Sequence, residues 1–533
     1  MHNFNLKMIK MILVILVSSA VVNMVGGISI LKNNDYYFRP SYFVMQWDYW
    51  KNRAAYAKYA GGSVFNLFSS KKEVSPLISS GDQEAVSIPV LLYHGVIKDS
   101  AWQPDEVNIR MEDFRAHMFA LKKAGWQTIS LEDYSDFIQG KISLPEKSFL
   151  LTFDDGRTDS YYPVDPVLRT LDYSAVMFVI TSRSISEEKG MGHFHLSQDE
   201  LEHMLASGRW EMGSHTYDGH GFVPTGADGA EGHFLSSRTW LAAENRLETE
   251  EEYKTRINQD ILASKNDLEK KLGIKAVSFA YPFGDFGETV ENFPESRGSV
   301  IDEAHKVFDL SFCQTASGDF PANYREKSFL AKRVNTNSFL SAENLLHIFE
   351  SNKDKPALYE DYFSKNSGWI SGWGAFKMEN GAMTIGNSPN DESGLAFLNG
   401  SYLWKDYSVF AKMKLVGNGK ASLAARYHDG NNYMSCDYSN SSVSLTEKIN
   451  KLLVSENVVL TDTRLSGGRE AQVGVEISGE KISCLLDGKA VVSGTVNENL
   501  SKGGISFKIW NPVERDNAVV VSQLKVAPIG EGE

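Results

Sequence analysis

Between residues 88 and 350, short apolar runs alternate with amphipathic stretches. The apolar runs have the length of buried strands, and the stretches between them carry apolar residues at helical spacing. This alternation is typical of parallel strands joined by helices, and seven or eight such strands predict an α/β fold with a closed or nearly closed (β/α) barrel. The predicted strands cover residues 90–93, 127–130, 149–153, 175–180, 210–213, 277–281, 308–312 and 329–334, and the predicted helices cover 111–124, 131–139, 197–207, 250–272 and 341–350.

The pattern changes after residue 350. Residues 351–367 form a charged connector, and from residue 368 to residue 533 apolar and polar positions alternate at period two. About ten short strands separated by Gly and Asn turns predict an all-β, jelly-roll-like sandwich, and Leu486-Asp487-Gly488-Lys489 predicts a tight hairpin. Six aromatic residues of this region could stack on sugar rings or could fill the core of the sandwich: Trp369, Trp373, Tyr402, Trp404, Tyr427 and Tyr433.

The first 32 residues have the pattern of an export signal. Two lysines precede an uncharged segment over residues 11–31, which is about long enough to cross a bilayer. The Ser18-Ser19-Ala20 sequence could be a cleavage site, so both a signal anchor and a cleaved signal peptide stay open. Either one predicts that the rest of the chain is extracytoplasmic, membrane-anchored or secreted. Residues 33–87 are interpreted as a stalk or linker, aromatic in its first half.

Composition narrows the ligand class. The net charge is -14 and the sequence has no basic tract, which argues against nucleic acid and against an anionic glycan, whereas a neutral sugar polymer is compatible. Three cysteines provide no disulfide framework, although Cys436 and Cys484 are close enough in sequence to share one domain and could pair. The sequence does not indicate an oligomeric state.

Two adjacent carboxylates follow the apolar run at 149–153. A strand that is buried on both faces cannot solvate Asp154 and Asp155, so both should emerge at its carboxyl end, where α/β folds hold their chemistry. The competing interpretation of Asp154-Asp155-Gly156 is an ordinary turn or a helix cap. About sixty residues later, His215 and His220 follow another apolar run, and Gly219 allows the chain to bend between them. Two imidazoles and a carboxylate can form a three-ligand metal site that is open to water.

Together these residues resemble a known family. Thr152-Phe153-Asp154-Asp155-Gly156, followed by Gly213-Ser214-His215-Thr216 and His220, is similar to the first two motifs of the NodB-homology polysaccharide deacetylases, carbohydrate esterase family four. The histidine spacing of five resembles the branch that deacetylates poly-β-1,6-N-acetylglucosamine. The resemblance covers residues 88–350 and implies a distorted barrel. It implies that Asp155, His215 and His220 bind a divalent metal, most simply zinc, while Asp154 is the catalytic base.

Two histidines are candidates for the general acid. His94 follows the predicted strand at 90–93, which places it on the same rim as Asp154, and a histidine titrates near neutral pH. In the family, the acid usually belongs to a Leu-x-His motif, which Leu345-Leu346-His347 matches inside a predicted helix. The poly-N-acetylglucosamine branch resembles a circular permutation in which the first strand supplies the acid, so His94 is preferred and His347 is the alternate.

The third motif departs from the family pattern. Tyr281 and Pro282 match it and are expected to border the substrate groove, with the Tyr281 amide helping to polarise the acetyl oxygen. Ala280 stands where the family has the arginine that holds the catalytic Asp, and Arg333 is the predicted substitute, grouped with the candidate substrate-binding residues. Arg157 could contact substrate or face solvent. The insertion at 222–247 could border the groove, and four more histidines are interpreted as surface or packing residues: His193, His195, His203 and His233.

The predicted function is therefore an exported, metal-dependent N-deacetylase of an N-acetylglucosamine polymer, with poly-β-1,6-N-acetylglucosamine favoured. The alternatives are the same chemistry on peptidoglycan or another acetylated glycan, and a non-catalytic glycan-binding surface protein. Retention of a base, three ligands and an acid argues against a non-catalytic barrel.

Overall fold

The computed structural model describes residues 39–61, 83–99, 101–185, 194–288, 290, 292–387, 392–463, 465, 469–511 and 517–530. The predicted export signal at 1–32, residues 33–38 and 62–82 of the predicted stalk, and His193 lie outside these residues. Within the described part of the chain, no helix combines the length and the apolar character needed to span a bilayer.

The first domain is a closed barrel of seven parallel strands, which confirms the predicted α/β fold. Around the barrel the order is β1-β5-β6-β7-β12-β13-β15, and β15 pairs with β1 to close it. The strands of this domain are β1 Ser87–Tyr93, β2 Val96–Ile97, β3 Ile109–Arg110, β4 Gln127–Thr128, β5 Ser148–Phe153, β6 Ala175–Val179, β7 Trp210–Ser214, β8 Phe222–Pro224, β9 Glu231–His233, β10 Trp240–Leu241, β11 Arg246–Leu247, β12 Ser278–Ala280, β13 Leu310–Gln314, β14 Ala322–Tyr324 and β15 Leu330–Asn335.

The barrel strands β1, β5 and β6 are mainly apolar and buried along their whole length, because both of their faces are covered. Alternate side chains enter two separate cores. Val90 and Leu150 belong to the cluster that fills the barrel interior, whereas Leu91 and Leu151 pack outward against the helices. The helices are α1 Tyr42–Tyr59, α2 Met111–Lys123, α3 Leu131–Ile138, α4 Asp165–Leu171, α5 Thr181–Ser184, α6 Gln198–Ala206, α7 Glu250–Lys271, α8 Ser296–His305 and α9 Ala342–Ser351.

Part of the segment interpreted as a stalk is a helix that packs on the barrel domain. In α1, the buried ring of Tyr49 lies 4.2 Å from the Arg169 guanidinium of α4. Just before α1, Arg39 pairs with Glu200 of α6 at 2.7 Å. Tyr49 and Arg39 therefore join this segment to the barrel domain, and the interpretation of residues 33–87 as a stalk is wrong for residues 39–59.

The second domain is an antiparallel β-sandwich, as the period-two pattern predicts. One sheet has the order β18-β19-β30-β21-β26-β27-β28, with β16 also on β30, and the other has the order β17-β20-β29-β22-β23-β24-β25. The strands are β16 Tyr359–Asp361, β17 Trp369–Trp373, β18 Ala375–Glu379, β19 Ala382–Gly386, β20 Ser393–Leu398, β21 Tyr407–Val416, β22 Lys420–Asp429, β23 Asn432–Tyr438, β24 Ser442–Ile449, β25 Leu452–Leu460, β26 Glu470–Ser478, β27 Lys481–Leu486, β28 Lys489–Thr495, β29 Gly504–Trp510 and β30 Ala518–Pro528.

The structure shows where the predicted hairpin, the two cysteines and the predicted connector lie in the sandwich. The predicted hairpin joins β27 to β28, with Asp487 and Gly488 both at positive φ. Cys436 and Cys484 form a disulfide that links the two sheets through their buried strands β23 and β27. Because β16 pairs with β30, the end of the predicted connector at 351–367 belongs to the sandwich.

The aromatic residues proposed for sugar stacking are used inside the protein. Trp369, Trp404, Tyr427 and Tyr433 are buried, and Tyr402 stacks on Tyr324 of the barrel domain at 4.4 Å. Trp373 packs against the interdomain cluster around Phe320, and its indole N–H donates to Ser393. Of the two interpretations that the sequence left open for these residues, the structure supports the second, since the rings fill the sandwich core and the contact with the barrel.

Candidate active site

The predicted site residues come from the carboxyl ends of different barrel strands. His94 follows β1, Asp154 and Asp155 follow β5, and His215 follows β7, while Arg333 lies near the end of β15. Because all seven strands are parallel, these ends meet on one rim of the barrel. The structure therefore brings together residues that are up to 239 positions apart in sequence, from His94 to Arg333.

Asp155, His215 and His220 converge at this rim. The Asp155 Oδ1 atom lies 3.5 Å from His215 Nε2 and 3.3 Å from His220 Nε2. One potential ligand atom from each residue falls within 4.8 Å of the other two. Asp155 has a φ of 72°, and this left-handed conformation at the end of β5 turns its side chain away from that of Asp154.

The orientation of each imidazole is fixed by the surrounding chain. His215 Nδ1 lies 2.8 Å from the Ala280 carbonyl oxygen, so Nδ1 carries the hydrogen and Nε2 presents its lone pair to the site. The turn that carries His220 is held by Asp260 of α7, which accepts hydrogen bonds from the amides of Tyr217 and Asp218. A Cβ at Gly219 would approach Asp260 to 3.0 Å, so this turn needs a glycine.

The three residues fit a divalent cation. Asp155 Oδ1 is buried and makes no hydrogen bond to any residue that the structure describes, although two ring nitrogens lie close to it. Burial lowers the pKa of His215 to about 4, so its ring is neutral and able to coordinate at neutral pH. An unsatisfied buried carboxylate oxygen is costly, and a cation shared with two imidazole nitrogens would satisfy it.

Asp154 has a different partner. Arg333 donates two hydrogen bonds to it, Nη1 to Oδ1 at 2.6 Å and Nη2 to Oδ2 at 2.7 Å, and both side chains are buried. Burial alone raises the pKa of Asp154, but Arg333, followed by His215, lowers it below the ordinary carboxyl value. Asp154 is therefore ionised at neutral pH, and Arg333 stands where the sequence analysis placed the missing arginine.

His94 lies within electrostatic reach of both carboxylates. Its Nδ1 atom is buried without a hydrogen-bond partner among the described residues, and its carbonyl accepts a hydrogen bond from Ser160. Burial lowers the pKa of His94, while Asp155 and Asp154 act against that shift. The alternate acid, His347, bonds to the backbone carbonyl of Trp369 at 3.2 Å and so contributes to the domain interface. His347 is therefore not part of the site.

Arg157 is buried next to Asp155 and does not face solvent. Its Nε and Nη2 atoms each donate to Asp159 at 2.8 Å, and its guanidinium lies 4.7 Å from the Phe194 ring centroid. A Cβ on Gly95 would lie only 2.3 Å from Nη2, so the residue after His94 must be a glycine for this packing. The predicted substrate contact of Arg157 is wrong because its charged group is buried in these interactions.

The predicted roles of Tyr281 and Pro282 at the substrate groove are also wrong. The Tyr281 amide donates to the Phe312 carbonyl at 3.0 Å, and its ring is fully buried, so neither group is available to an acetyl oxygen. Pro282 is also buried and begins a 3-10 turn, Pro282–Gly284. Phe283 is the exposed member of this motif, and it lies 4.5 Å from the ring of His220.

Sequence reasoning missed several supporting residues. His195 Nδ1 lies 3.0 Å from the Asp155 carbonyl oxygen, and His233 Nδ1 lies 2.5 Å from Asp285 Oδ2. Neither histidine follows a strand, so the strand-end pattern gave no signal for them. The sequence did contain a signal for Asp260. This residue lies on the apolar stripe of α7 between Ile257 and Ile261, where a buried carboxylate needs partners.

Comparison with known proteins finds the same kind of domain. Residues 141–298 match the polysaccharide deacetylase family. Poly-beta-1,6-N-acetyl-D-glucosamine N-deacetylase of Escherichia coli K12 is 25% identical over 226 residues, which are 40% of this chain and 32% of that protein. The protein of the same name from Staphylococcus epidermidis is 26% identical over 177 residues, 32% of this chain and 53% of that protein. The chain therefore spans about a third and about half of the length of these curated relatives.

A solved de-N-acetylase from Aggregatibacter actinomycetemcomitans is also similar. It covers 49% of this chain and 99% of its own length, with 24% sequence identity and a TM-score of 0.43.

Removal of one imidazole should abolish tight metal binding. We expect His215→Ala to weaken zinc binding by more than about 100-fold, because two donors cannot enclose the ion. Isothermal titration of the metal-free protein measures this directly. His203→Ala is the matched control, since His203 is an exposed residue of α6. Equal zinc affinity in His215→Ala and the parent would contradict the assignment of this group as the metal site.

Proposed function

Because residues 141–298 belong to the polysaccharide deacetylase family, we propose that this chain is a metal-dependent N-deacetylase of an N-acetylglucosamine polymer. The observation that carries the proposal is the pairing of two unlike carboxylates. In the described part of the chain, Asp155 Oδ1 has no hydrogen-bond partner and faces two imidazole nitrogens, while the adjacent Asp154 is ionised and held by Arg333. Asp155 can thus coordinate a cation, and the ionised Asp154 can accept a proton on an oxygen lone pair that Arg333 does not use.

Asp155, His215 and His220 would hold the divalent cation, and zinc suits a ligand set of two imidazoles and one carboxylate. When bound, the cation supplies a Lewis acid that polarises the acetyl carbonyl and lowers the pKa of water. Manganese, cobalt or another first-row ion would provide similar chemistry.

Asp154 acts as the general base in this proposal. Its ionised form can take a proton from the attacking water, and the two hydrogen bonds from Arg333 hold its carboxylate in one orientation. Arg333 is a positioning residue, because it is fully buried and cannot reach a substrate.

His94 acts as the general acid. Cleavage of the amide needs a proton on the departing amine, and His94 lies on the same rim as the base. Its Nδ1 has no partner within the described residues, so the ring is not committed to a structural hydrogen bond. The products are acetate and a free amine on the glycan.

Poly-β-1,6-N-acetylglucosamine is the favoured substrate. Two relatives carry its name, and the net charge of -14 suits a neutral polymer better than an anionic one. The uncharged segment at 11–31 supports an extracytoplasmic location, anchored to the membrane or secreted. A lectin function is not favoured, because the aromatic rings suggested for it are buried or packed at the domain interface.

A substrate panel tests this function. We expect acetate release from poly-β-1,6-N-acetylglucosamine to exceed release from chitin oligosaccharides and peptidoglycan, to stop after chelation, and to return with zinc. An enzymatic acetate assay measures all three. Activity that persists in the fully chelated protein would contradict metal dependence, and faster release from peptidoglycan would reassign the substrate.

Exchange of the base separates chemistry from metal binding. We expect Asp154→Asn to bind zinc as tightly as the parent does but to lose at least about 100-fold in kcat, since an amide cannot accept the proton. His215→Ala should lose both properties. Parallel metal titrations and acetate assays distinguish the two variants. Parent-like turnover by Asp154→Asn would remove the base assignment.

Loss of the Arg333 guanidinium should shift the pH dependence of kcat/KM. In Arg333→Gln, burial is no longer opposed by the guanidinium, so the pKa of Asp154 rises and the carboxylate takes up a proton at higher pH. We therefore expect the acidic limb of the kcat/KM profile to shift to higher pH. We also expect a loss of about 3–5 kcal/mol of stability, because the carboxylate is left unpaired. Arg333→Lys keeps the charge and should shift the limb less. A folded Arg333→Gln protein with the parent's acidic limb would refute this role.

A further inference from the structure

A row of aromatic rings runs along the rim from the metal-ligand group. The Phe283 ring lies 4.5 Å from His220 and stacks on His233 at 4.4 Å with an interplanar angle of 11°. Phe222 extends the row, at 5.2 Å from His233 and 5.5 Å from Phe283. We call Phe222, His233 and Phe283 the rim platform. None of the three belongs to the base, the acid or the ligand group described above.

Phe283 is held in an unusual backbone conformation. Its φ of 60° and ψ of 7° lie in the left-handed region, which is unfavourable for an aromatic residue. The conformation places the ring beside His220 and leaves 42% of the residue exposed. Such strain persists only where the surrounding structure enforces it, and it concentrates at functional sites.

The other two rings come from the insertion that follows the histidine pair. Phe222 and His233 are opposite each other in the antiparallel pair β8–β9, so their side chains share one face of the hairpin. Phe222 is 59% exposed. Mutual packing accounts for the stack of His233 on Phe283, but it does not account for the large exposed surface of Phe222 at the mouth of the site.

Asp285 fixes the orientation of the platform. Its Oδ2 atom lies 2.5 Å from His233 Nδ1 and accepts a hydrogen bond from Ser236 Oγ at 2.6 Å. Its Oδ1 atom accepts from the Gly287 amide at 2.8 Å. The carboxylate thus joins the insertion to the loop after β12, and the ring of His233 is locked before any ligand arrives. A locked binding surface loses little conformational entropy on binding.

We propose that the rim platform is a stacking site for an N-acetylhexosamine residue of the glycan next to the one that is deacetylated. This inference rests on the proposed function, because the platform binds a neighbouring sugar only if another sugar of the chain is deacetylated at the metal-ligand group beside it. A pyranose ring presents a face of C–H groups and a rim of hydroxyl groups, which matches exposed aromatic faces surrounded by polar residues. Exposed apolar groups of this kind, next to a reaction centre, mark binding sites on soluble proteins. The platform would make the enzyme depend on a chain of at least two sugars.

Kinetics on the polymer test the platform. We expect Phe222→Ala to raise KM for the acetylated glucosamine polymer roughly fivefold to tenfold, with kcat within about twofold of the parent, because a stacked ring adds ground-state and transition-state binding equally. Phe222→Tyr keeps the aromatic face and should keep the parent KM. Trp510→Ala is the matched control, since Trp510 is a 42% exposed aromatic residue of the sandwich. An unchanged KM in Phe222→Ala would overturn the proposal.

A binding experiment separates this inference from the proposed function. Titration of Asp154→Asn and of Asp154→Asn/Phe222→Ala with a defined N-acetylglucosamine oligomer needs no turnover. Weaker binding by the double variant supports the platform even if the parent releases no acetate, in which case only the deacetylase proposal fails. Equal binding by the two proteins overturns the platform, whatever the activity of the parent.

Discussion

The ion pair between Arg333 and Asp154 is the interaction on which the arrangement of the site depends. Both side chains are fully buried, and the guanidinium lies 5.3 Å from the Phe178 ring and 5.9 Å from the Phe312 ring inside the barrel. Two charges in such surroundings are tolerated only when they are paired with good geometry. The pair also crosses the closure of the barrel, since β15 and β5, which carry these residues at their ends, are the two neighbours of β1.

This pairing gives two neighbouring carboxylates different properties. Asp154 has both oxygens bonded to the Arg333 guanidinium, whereas Asp155 has a left-handed backbone and an Oδ1 atom that no described residue hydrogen-bonds. The separation of roles comes from the backbone turn at Asp155 and from the fixed fork of the guanidinium, and no chemical difference between the two side chains is needed.

The sequence predicted those parts of the structure that depend on local pattern and strand direction. Buried parallel strands are continuous apolar runs, so β5 and β7 and the polar residues at their ends were recognisable. Arg333 was found because a buried Asp needs a cation and because a strand pattern placed an arginine at the same rim. Contacts between distant, irregular segments were not predictable. His233 bonds to Asp285, which is 52 residues away in a loop. The Tyr281 amide, expected to face the acetyl oxygen, instead donates to the Phe312 carbonyl of the neighbouring β13. Four aromatic residues of the sandwich, Trp373, Tyr402, Tyr427 and Tyr433, were ambiguous, since they pack in a cluster with Phe320 from a loop of the other domain.

That loop ties the two domains together. Gly318 in the segment between β13 and β14 accepts a hydrogen bond from the Tyr427 hydroxyl at 2.7 Å, and Phe320 is fully buried among aromatic rings of the sandwich. The segment begins where β13 reaches the rim that carries the site. A barrel domain cut at residue 351 would expose Phe320 and Tyr324 to water, because both rings pack against the sandwich. Each domain has its own hydrophobic core, yet removal of the sandwich would also remove the partners that hold the segment after β13.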